Sequence, residues 1–326
     1  MRALVTGGNG FIGSHLVELL LERGYRVACL VRKTSNLRWI ENLNVEFHYG
    51  DCRQRDSLSP AVKGCDYVFH LAGRIRSPDW QGYHEANYIG TKNLAEACVE
   101  VAPQLKRFIY ISSISAAGPA RTPAVQTEED ECRPVSDYGR TKLMGEEAVQ
   151  EILTEISWVI IRPPNIIGPR QEDLLSAIKL VKSRIKPLLG NGDRQTSVCF
   201  VSDLVHGIEL AAISDTAAGS VYYLTDPALY SWREMPEAIA EHLGMSGYVL
   251  PLPYPVLFAI ASLMEAVATV TGSGPFLTRQ QLRDLRDTYW LYDGSKAERD
   301  LGFTAEIDLN KGIELSIDWY RGRGLI

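Results

Sequence analysis

The first 36 residues read MRALVTGGNGFIGSHLVELLLERGYRVACLVRKTSN, and the run from Val5 to Gly13 decides the fold. Glycines at positions 7, 10 and 13 follow a short apolar run and precede an amphipathic segment. Glycine permits a tight turn with positive φ and lets backbone N–H groups approach a diphosphate, while the next helix turns its positive end toward the phosphates. We expect a dinucleotide site at Gly7, Gly10, Phe11, Ile12 and Gly13. The alternative is a tight turn without a ligand.

The first half of the chain alternates strand-like and helix-like segments. The predicted strands are Ala3–Thr6, Arg26–Val31, Val45–Tyr49, Tyr67–Leu71, Phe108–Ser112 and Trp158–Arg162. Helical patterns lie between them, and the main ones are Gly13–Arg23, Tyr83–Val101 and Asp137–Glu155. Strands rich in Val and Ile that alternate with helices predict an α/β fold, a doubly wound parallel sheet of Rossmann type.

The composition and the predicted elements change after Pro163. Proline becomes more frequent, and so do short predicted strands such as Val198–Val201 and Val221–Leu224. We predict a dinucleotide-binding domain over residues 1–163 and a smaller mixed α/β substrate-binding region over residues 164–326. The boundary is soft, because the last strand of the sheet is expected to return from the second region.

Composition excludes several classes of protein. The chain of 326 residues has a net charge of -6, which gives no electrostatic reason to expect nucleic acid as a partner. Six scattered cysteines without a C-x-x-C pair argue against a metal site and predict reduced thiols in a cytoplasmic protein. The apolar start is too short for a secretory leader, so none is expected.

The second predicted strand ends in Arg32 and Lys33, where a site for NAD often carries an acidic residue. No acid occurs between Gly24 and Ile40. A guanidinium can bind the 2′-phosphate of NADP(H) through two hydrogen bonds. The basic pair therefore predicts a preference for NADP(H), with NAD(H) as the other possibility. The alternative interpretation is a pair of solvated surface charges.

The segment SDYGRTK places Tyr138 four residues before Lys142, on one face of a helix. A phenol is a poor acid or base at neutral pH, and a nearby ammonium lowers its pKa. The pair thus suits proton transfer to or from a substrate oxygen. Upstream, YISSISAAG predicts a strand that ends in serines 112, 113 and 115. A hydroxyl at that strand end can bond a substrate carbonyl.

With these pieces together, the chain resembles an extended short-chain dehydrogenase/reductase of the NAD-dependent epimerase/dehydratase family. Further segments that carry the resemblance are GD at 50–51, HLAG at 70–73, NYIGT at 87–91 and RPPNIIGP at 162–169. It implies that Ser113 is the catalytic serine, Tyr138 the acid/base and Lys142 its partner. It also implies cofactor contacts at Asp51, Cys52, Leu71, Ala72, Gly73, Asn87, Tyr138, Lys142, Pro163 and Ile166, with Lys142 holding the nicotinamide ribose. Gly73 departs from the alanine more usual in the family.

Several motif residues also help to decide which branch of this family the chain resembles. Dehydratases carry an Asp-Glu pair after the catalytic serine, where this chain has Ile114 and Ser115. Sugar-nucleotide epimerases often carry an arginine seven residues before the Asp that corresponds to Asp203, where this chain has Thr196. Arg194 lies two residues further away, and a two-residue slip in the loop would still deliver the charge. Asn165 matches a nucleotide contact of the epimerases and points the other way. The segment after Trp290 resembles the 3β-hydroxysteroid dehydrogenase-like branch, and LVRK resembles plant-type dihydroflavonol reductases.

The leading hypothesis is an NADP(H)-preferring oxidoreductase that interconverts a secondary alcohol and a ketone on an apolar or bulky small molecule. The alternatives are a nucleotide-sugar epimerase with tightly bound NAD and a non-catalytic NADP(H) sensor. The apolar segment Tyr254–Val270 predicts a buried helix, and the alternative is a helix at a membrane surface. The resemblance also implies a homodimer formed through the helices predicted at Tyr83–Val101 and Asp137–Glu155.

Overall fold

The structure is a computed structural model that describes residues 1–189, 192–246, 248–271, 278–279, 282 and 289–326. Its strands are, in chain order, β1 (Arg2–Thr6), β2 (Arg26–Val31), β3 (Val45–Tyr49), β4 (Tyr67–His70), β5 (Arg107–Ile111), β6 (Trp158–Arg162), β7 (Asn165–Ile167), β8 (Ile185–Leu189), β9 (Gln195–Phe200), β10 (Ser220–Tyr223), β11 (Leu229–Ser231) and β12 (Tyr248–Leu252).

The α-helices of the described residues lie mostly between these strands. They are α1 (Phe11–Glu22), α2 (Ser59–Val62), α3 (Trp80–Tyr83), α4 (Gly90–Val101), α5 (Ile114–Ala117), α6 (Asp137–Ile152), α7 (Glu172–Lys182), α8 (Val201–Ile213), α9 (Glu234–Leu243), α10 (Tyr254–Thr271), α11 (Ser295–Leu301) and α12 (Leu309–Gly322). Among the helices of the described residues, none has the length and hydropathy needed to cross a membrane.

The main sheet has seven parallel strands in the order β10-β6-β5-β4-β1-β2-β3. The strand order reverses between β1 and β4, which opens a crevice at the carboxyl ends of the strands. Apolar residues on both faces of the sheet are buried, and helices cover both faces. The predicted doubly wound parallel sheet is confirmed.

Two smaller sheets follow the crossover from β6. One has the order β11-β9-β7, with a parallel and an antiparallel pair, and the other pairs β8 with β12. Strand β10 then returns to the edge of the main sheet beside β6. The division at residue 163 stays a prediction about function, since residues after it complete the main sheet.

The helix predicted over Tyr83–Val101 is interrupted. Helix α3 ends at Tyr83, residues His84–Ile89 form a π-helical turn, and α4 begins at Gly90. Single π turns inside helices are frequent at functional sites. Asn87 lies in this turn and is fully buried.

The prediction of a buried helix at Tyr254–Val270 is correct for one side of α10 only. Leu257 and Ala261 are buried and form a small cluster with Leu282. Large apolar residues on the other side, such as Leu263, are exposed. The sequence did not predict the exposed side, because apolar residues occur on every side of this helix.

Candidate active site

The glycine loop lies between β1 and α1 in the geometry that a diphosphate needs. Gly7 has a φ of +72°, and a Cβ atom there would lie 2.8 Å from the backbone nitrogen of Ala72. A Cβ at Gly13 would collide with the carbonyl oxygen of Gly7. Helix α1 starts after Gly10, and no side chain caps its first N–H groups. These groups can therefore bind phosphate oxygens, so the loop fits a dinucleotide.

The end of β2 and the loop after β3 form the side of the crevice where the adenosine part of a dinucleotide belongs. Arg53 bonds the Asp51 carboxylate at 2.8 Å and lowers its pKa. Arg32 and Lys33 are exposed, and no described carboxylate lies within ion-pair distance of either. Cys52 is buried, and burial raises the pKa of its thiol to about 12. The two basic side chains are thus available to an anion from solvent.

A cavity of about 1210 Å³ opens at the carboxyl ends of the strands. Of the predicted site residues, it is lined by Gly7, Gly10, Phe11, Ile12, Gly13, Leu71, Ser113, Tyr138, Pro163 and Ile166. The remaining predicted residues are not on its wall: Arg32, Lys33, Asp51, Cys52, Ala72, Gly73, Asn87 and Lys142. The cavity therefore joins the glycine loop to the predicted acid/base without a break.

Ser113 and Tyr138 meet on this wall. Ser113 caps the short helix α5 by accepting a hydrogen bond from the backbone N–H of Ser115 at 3.1 Å. Helix α6 begins at Asp137, with Ser136 as its cap, and so presents Tyr138 in its first turn. Burial raises the pKa of Tyr138 to about 12, and a hydrogen bond from Ser113 acts in the opposite direction. Near neutral pH the phenol is therefore a proton donor.

Lys142 lies one turn further along α6 and is buried. Its Nζ donates to the carbonyl oxygen of Ile111 at 2.7 Å and lies 4.1 Å from the centre of the Tyr110 ring. Burial lowers the pKa of Lys142 to about 7, although the charge of Glu146 acts against this. The ammonium is thus poised to lose its proton near neutral pH. Tyr138 shares its helix face, one turn away.

Beneath the lysine, a buried ion pair joins α6 to the main sheet. Arg162 on β6 contacts Glu146 at 2.7 Å, and both side chains are almost fully buried. Ser112 donates its hydroxyl to the same carboxylate. Both Ser112 and Ser113 border the cavity, but the Ser112 hydroxyl is bonded to the buried Glu146. The sequence did not separate these roles, because the two hydroxyls differ only in the direction they leave the chain.

The loop after β4 is held from inside the protein. The side-chain oxygen of Asn87 accepts the N–H of Arg74 at 2.7 Å, and its nitrogen donates to Thr141 at 3.1 Å. A Cβ at Gly73 would lie 3.0 Å from that Asn87 oxygen. These contacts give Asn87 an anchoring function and give the glycine at position 73 a steric reason. A direct cofactor contact by Asn87 stays a prediction.

His70 ends β4 inside a closed hydrogen-bond network. Its ring nitrogens lie 2.7 Å from the Thr6 hydroxyl and 2.9 Å from the Thr91 hydroxyl. Burial, together with the charge of Lys142, lowers the pKa of His70 to about 3. The imidazole is neutral and fully buried, so its function is structural.

The cavity also contains residues that the motifs did not indicate. Two ion pairs line it: Arg76 with Asp173 at 2.8 Å, and Arg279 with Glu265 at 2.7 Å. Three neutral polar groups on its wall have no hydrogen-bond partner among the described residues; they belong to Ser77, Gln171 and Trp290. No local pattern marks these residues, because they come from segments far apart in the chain.

Comparison with known proteins identifies the family. The family model described as NAD dependent epimerase/dehydratase matches residues 3–223. The chain belongs to this family. It is 28% identical to the ceramide reductase of Caulobacter vibrioides over 98% of this chain and 94% of that protein. It is 29% identical to the mouse (Mus musculus) sterol-4-alpha-carboxylate 3-dehydrogenase, decarboxylating, over 97% and 90% of the two chains.

Solved structures of the family share the fold. The structure of MoeE5 in complex with UDP-glucose and NAD is 26% identical and superposes with a TM-score of 0.81 over the whole of both chains. The resemblance to extended short-chain dehydrogenases/reductases is confirmed, and the relatives agree with the 3β-hydroxysteroid dehydrogenase-like branch. The protein is an NAD(P)-dependent oxidoreductase or epimerase that acts on a small molecule.

Proposed function

We propose that this protein is an NADP(H)-preferring oxidoreductase that interconverts a ketone and a secondary alcohol on an uncharged, largely apolar substrate. The observation that carries the proposal is the charge of the cavity. Its described lining contains four carboxylates and two guanidinium groups, namely Asp79, Asp137, Asp173, Glu265, Arg76 and Arg279. Each of these two arginines is bonded to one of the carboxylates.

This wall disfavours an anionic substrate. Beyond the glycine loop, a carboxylate or diphosphate of the substrate would find no guanidinium of the described lining that lacks a carboxylate partner. At the position where epimerases often carry an arginine, Thr196 is buried and bonded to Asn165 at 2.6 Å. The neutral polar groups of Ser77, Gln171 and Trp290 suit hydroxyl or carbonyl groups instead.

The chain's own residues supply the proton chemistry. Bound NADP(H) would supply or accept the hydride. Ser113 donates a hydrogen bond to the substrate carbonyl oxygen, and Tyr138 gives that oxygen its proton. The Lys142 ammonium stabilises the phenolate that remains, which it can do only below its pKa of about 7. In the direction of ketone reduction, activity therefore falls as the pH rises through this value.

The cofactor preference rests on Arg32 and Lys33. Both side chains are exposed beside the predicted adenosine site, so a 2′-phosphate can reach them without breaking an ion pair. Arg38, nearby, pairs with Glu172 at 3.0 Å, so we assign the 2′-phosphate to Arg32 and Lys33. Five of the six cysteines are buried, and all six are thiols, which is consistent with a reducing cytoplasm.

The test is consumption of NADPH by the purified protein with a panel of cyclic and long-chain ketones, paired with carboxylated analogues of the same ketones. Turnover of the neutral ketones that exceeds turnover of the acids at least tenfold is expected. Tyr138→Phe serves as the matched control, and it should bind NADPH normally yet lose at least about a hundredfold in turnover. Unchanged turnover in this variant would refute the mechanism.

The runner-up function is a nucleotide-sugar epimerase with tightly held NAD. Asn165 on the cavity wall favours it, since this position contacts the nucleotide in epimerases that the chain resembles. Denaturation of the purified protein distinguishes the two. Release of stoichiometric NAD, together with epimerisation of a sugar nucleotide, would replace the leading proposal.

Two other functional proposals concern assembly and regulation. A sensor that binds NADP(H) without turnover would need no acid/base, so the adjacent Ser113 and Tyr138 argue against it. The homodimer implied by the family stays a proposal, with the faces of α4 and α6 as its interface. Light scattering coupled to size exclusion measures the mass in solution, and a value for a single chain would exclude the dimer.

A further inference from the structure

Two consecutive elements expose large apolar side chains. On β12 the exposed residues are Tyr248, Val249 and Leu250, and on α10 they are Val256, Ile260, Leu263 and Val267. We call the four residues of α10 the apolar face. Tyr248 is 83% exposed and Leu263 is 67% exposed, which is unusual for large apolar side chains.

The positions on α10 follow the helical repeat. Their spacings of four, three and four residues place them in one stripe along the helix, about 16 Å long. Glu265 is the only charged residue between Met245 and Thr271. It does not belong to the stripe, because it turns to Arg279 on the cavity wall. The stripe therefore presents only apolar and small side chains.

Basic residues lie beside β12, the strand that leads into α10. Helix α7 ends with Lys179 and Lys182, and Arg184 and Lys186 follow in the next four residues without an intervening acid. Strand β8, which contains Lys186, pairs directly with β12, so that Val249 lies opposite Lys186. Within the described part of the chain, no carboxylate lies within ion-pair distance of these four residues. This is a local positive charge on a chain whose net charge is -6.

Helix α10 also borders the active-site cavity. Ser262 and Ala266 line the cavity, and Leu263 of the apolar face lies between them in the chain. Helix α10 thus contributes residues both to the cavity wall and to the apolar face. Apolar side chains flanked by lysine and arginine match a bilayer surface that contains anionic lipids.

We propose that this face binds peripherally to membranes with anionic lipids, with the apolar face inserted among the acyl chains and the four basic residues on the head groups. Such binding would place α10, which contributes to the cavity wall, at the lipid surface. The proposal is independent of the reaction that the site performs, since it concerns residues outside the glycine loop and the acid/base.

The experiment is sedimentation of the purified full chain with vesicles. Vesicles of phosphatidylcholine with about 30% phosphatidylglycerol are compared with vesicles of phosphatidylcholine alone. The protein should sediment with the anionic vesicles, at least about tenfold more tightly than with the neutral ones, and salt should weaken the binding.

Two pairs of variants separate the components. Leu263→Glu should weaken binding at least about tenfold, and its control is Leu315→Glu on the exposed side of α12. Lys179→Glu combined with Lys182→Glu should weaken binding by roughly fivefold or more for each residue, and its control is Lys63→Glu. Thermal unfolding and NADPH binding should be unchanged in all variants.

Three results would overturn the proposal. The first is no sedimentation with either kind of vesicle. The second is equal loss of binding in Leu263→Glu and Leu315→Glu. The third is a lipid-free dimer that Leu263→Glu converts to a single chain while the wild type ignores vesicles, because the face would then be an interface between two copies of this chain.

Discussion

Replacement of Lys142 by methionine tests the electrostatics of the site most directly. The side chain is almost fully buried, and burial lowers its pKa from 10.5 to about 7. Between these values the unfolded chain holds a proton that the folded chain has released. The unfolded state therefore binds more protons, and the free energy of unfolding of the wild type rises with pH in this range.

The magnitude follows from the linkage relation. A full proton of difference changes the free energy of unfolding by about 1.4 kcal/mol per pH unit. Between about pH 7 and about pH 9, the wild type should therefore gain roughly 2 kcal/mol relative to Lys142→Met, which has no proton to lose. Other groups titrate alike in both proteins, so the difference between them isolates Lys142.

The assay is urea unfolding at several pH values, with Lys63→Met as the control at an exposed site. The same ionisation should appear in catalysis, as a fall in kcat/KM for ketone reduction above a pH of about 7. A difference between wild type and Lys142→Met that is constant from about pH 7 to about pH 9 would refute the buried-lysine argument. The control variant should show a constant difference.

Three further predictions concern the glycine loop, the adenosine side of the cofactor site and the buried ion pair between Glu146 and Arg162. Gly13→Ala places a methyl group against the carbonyl oxygen of Gly7, so dinucleotide binding should weaken at least tenfold by titration, and unchanged affinity would contradict the loop geometry. Arg32→Glu should weaken NADPH binding roughly 10- to 100-fold while NADH binding changes little, and equal effects on both would make the arginine a surface charge. Glu146→Gln leaves Arg162 buried without its carboxylate and should cost about 3–5 kcal/mol in urea unfolding, whereas a loss under about 1 kcal/mol would show that the pair is solvated.

Much of the fold followed from local patterns. Strands β2, β3 and β6 have the predicted bounds. For β2 and β6 the reason is that a strand buried on both faces needs a continuous apolar segment. The helix predicted over Tyr83–Val101 failed at its start, where a π-helical turn precedes α4. Asn87 in that turn is hydrogen-bonded to the loop after β4. Hydrophobic periodicity does not predict such contacts between distant polar groups.

The candidate site divides in the same way. Gly7, Gly13, Ser113 and Tyr138 were predicted, and they line one cavity. Their chemistry depends on residue type and on neighbours close in the chain, which a sequence displays directly. The charge of the cavity was not predicted. It depends on pairs such as Arg76 with Asp173, which are 97 residues apart and meet only when the sheet is closed.

The sequence by itself thus determined the parallel sheet, the glycine loop and the serine–tyrosine pair, because each is written in short-range spacing and side-chain chemistry. Tertiary structure decided what surrounds them. Burial, which no spacing encodes, brings the pKa of Lys142 to about 7. Packing also decided which side of α10 is exposed, since a helix that is apolar all round acquires an inside and an outside only when another surface covers one of them.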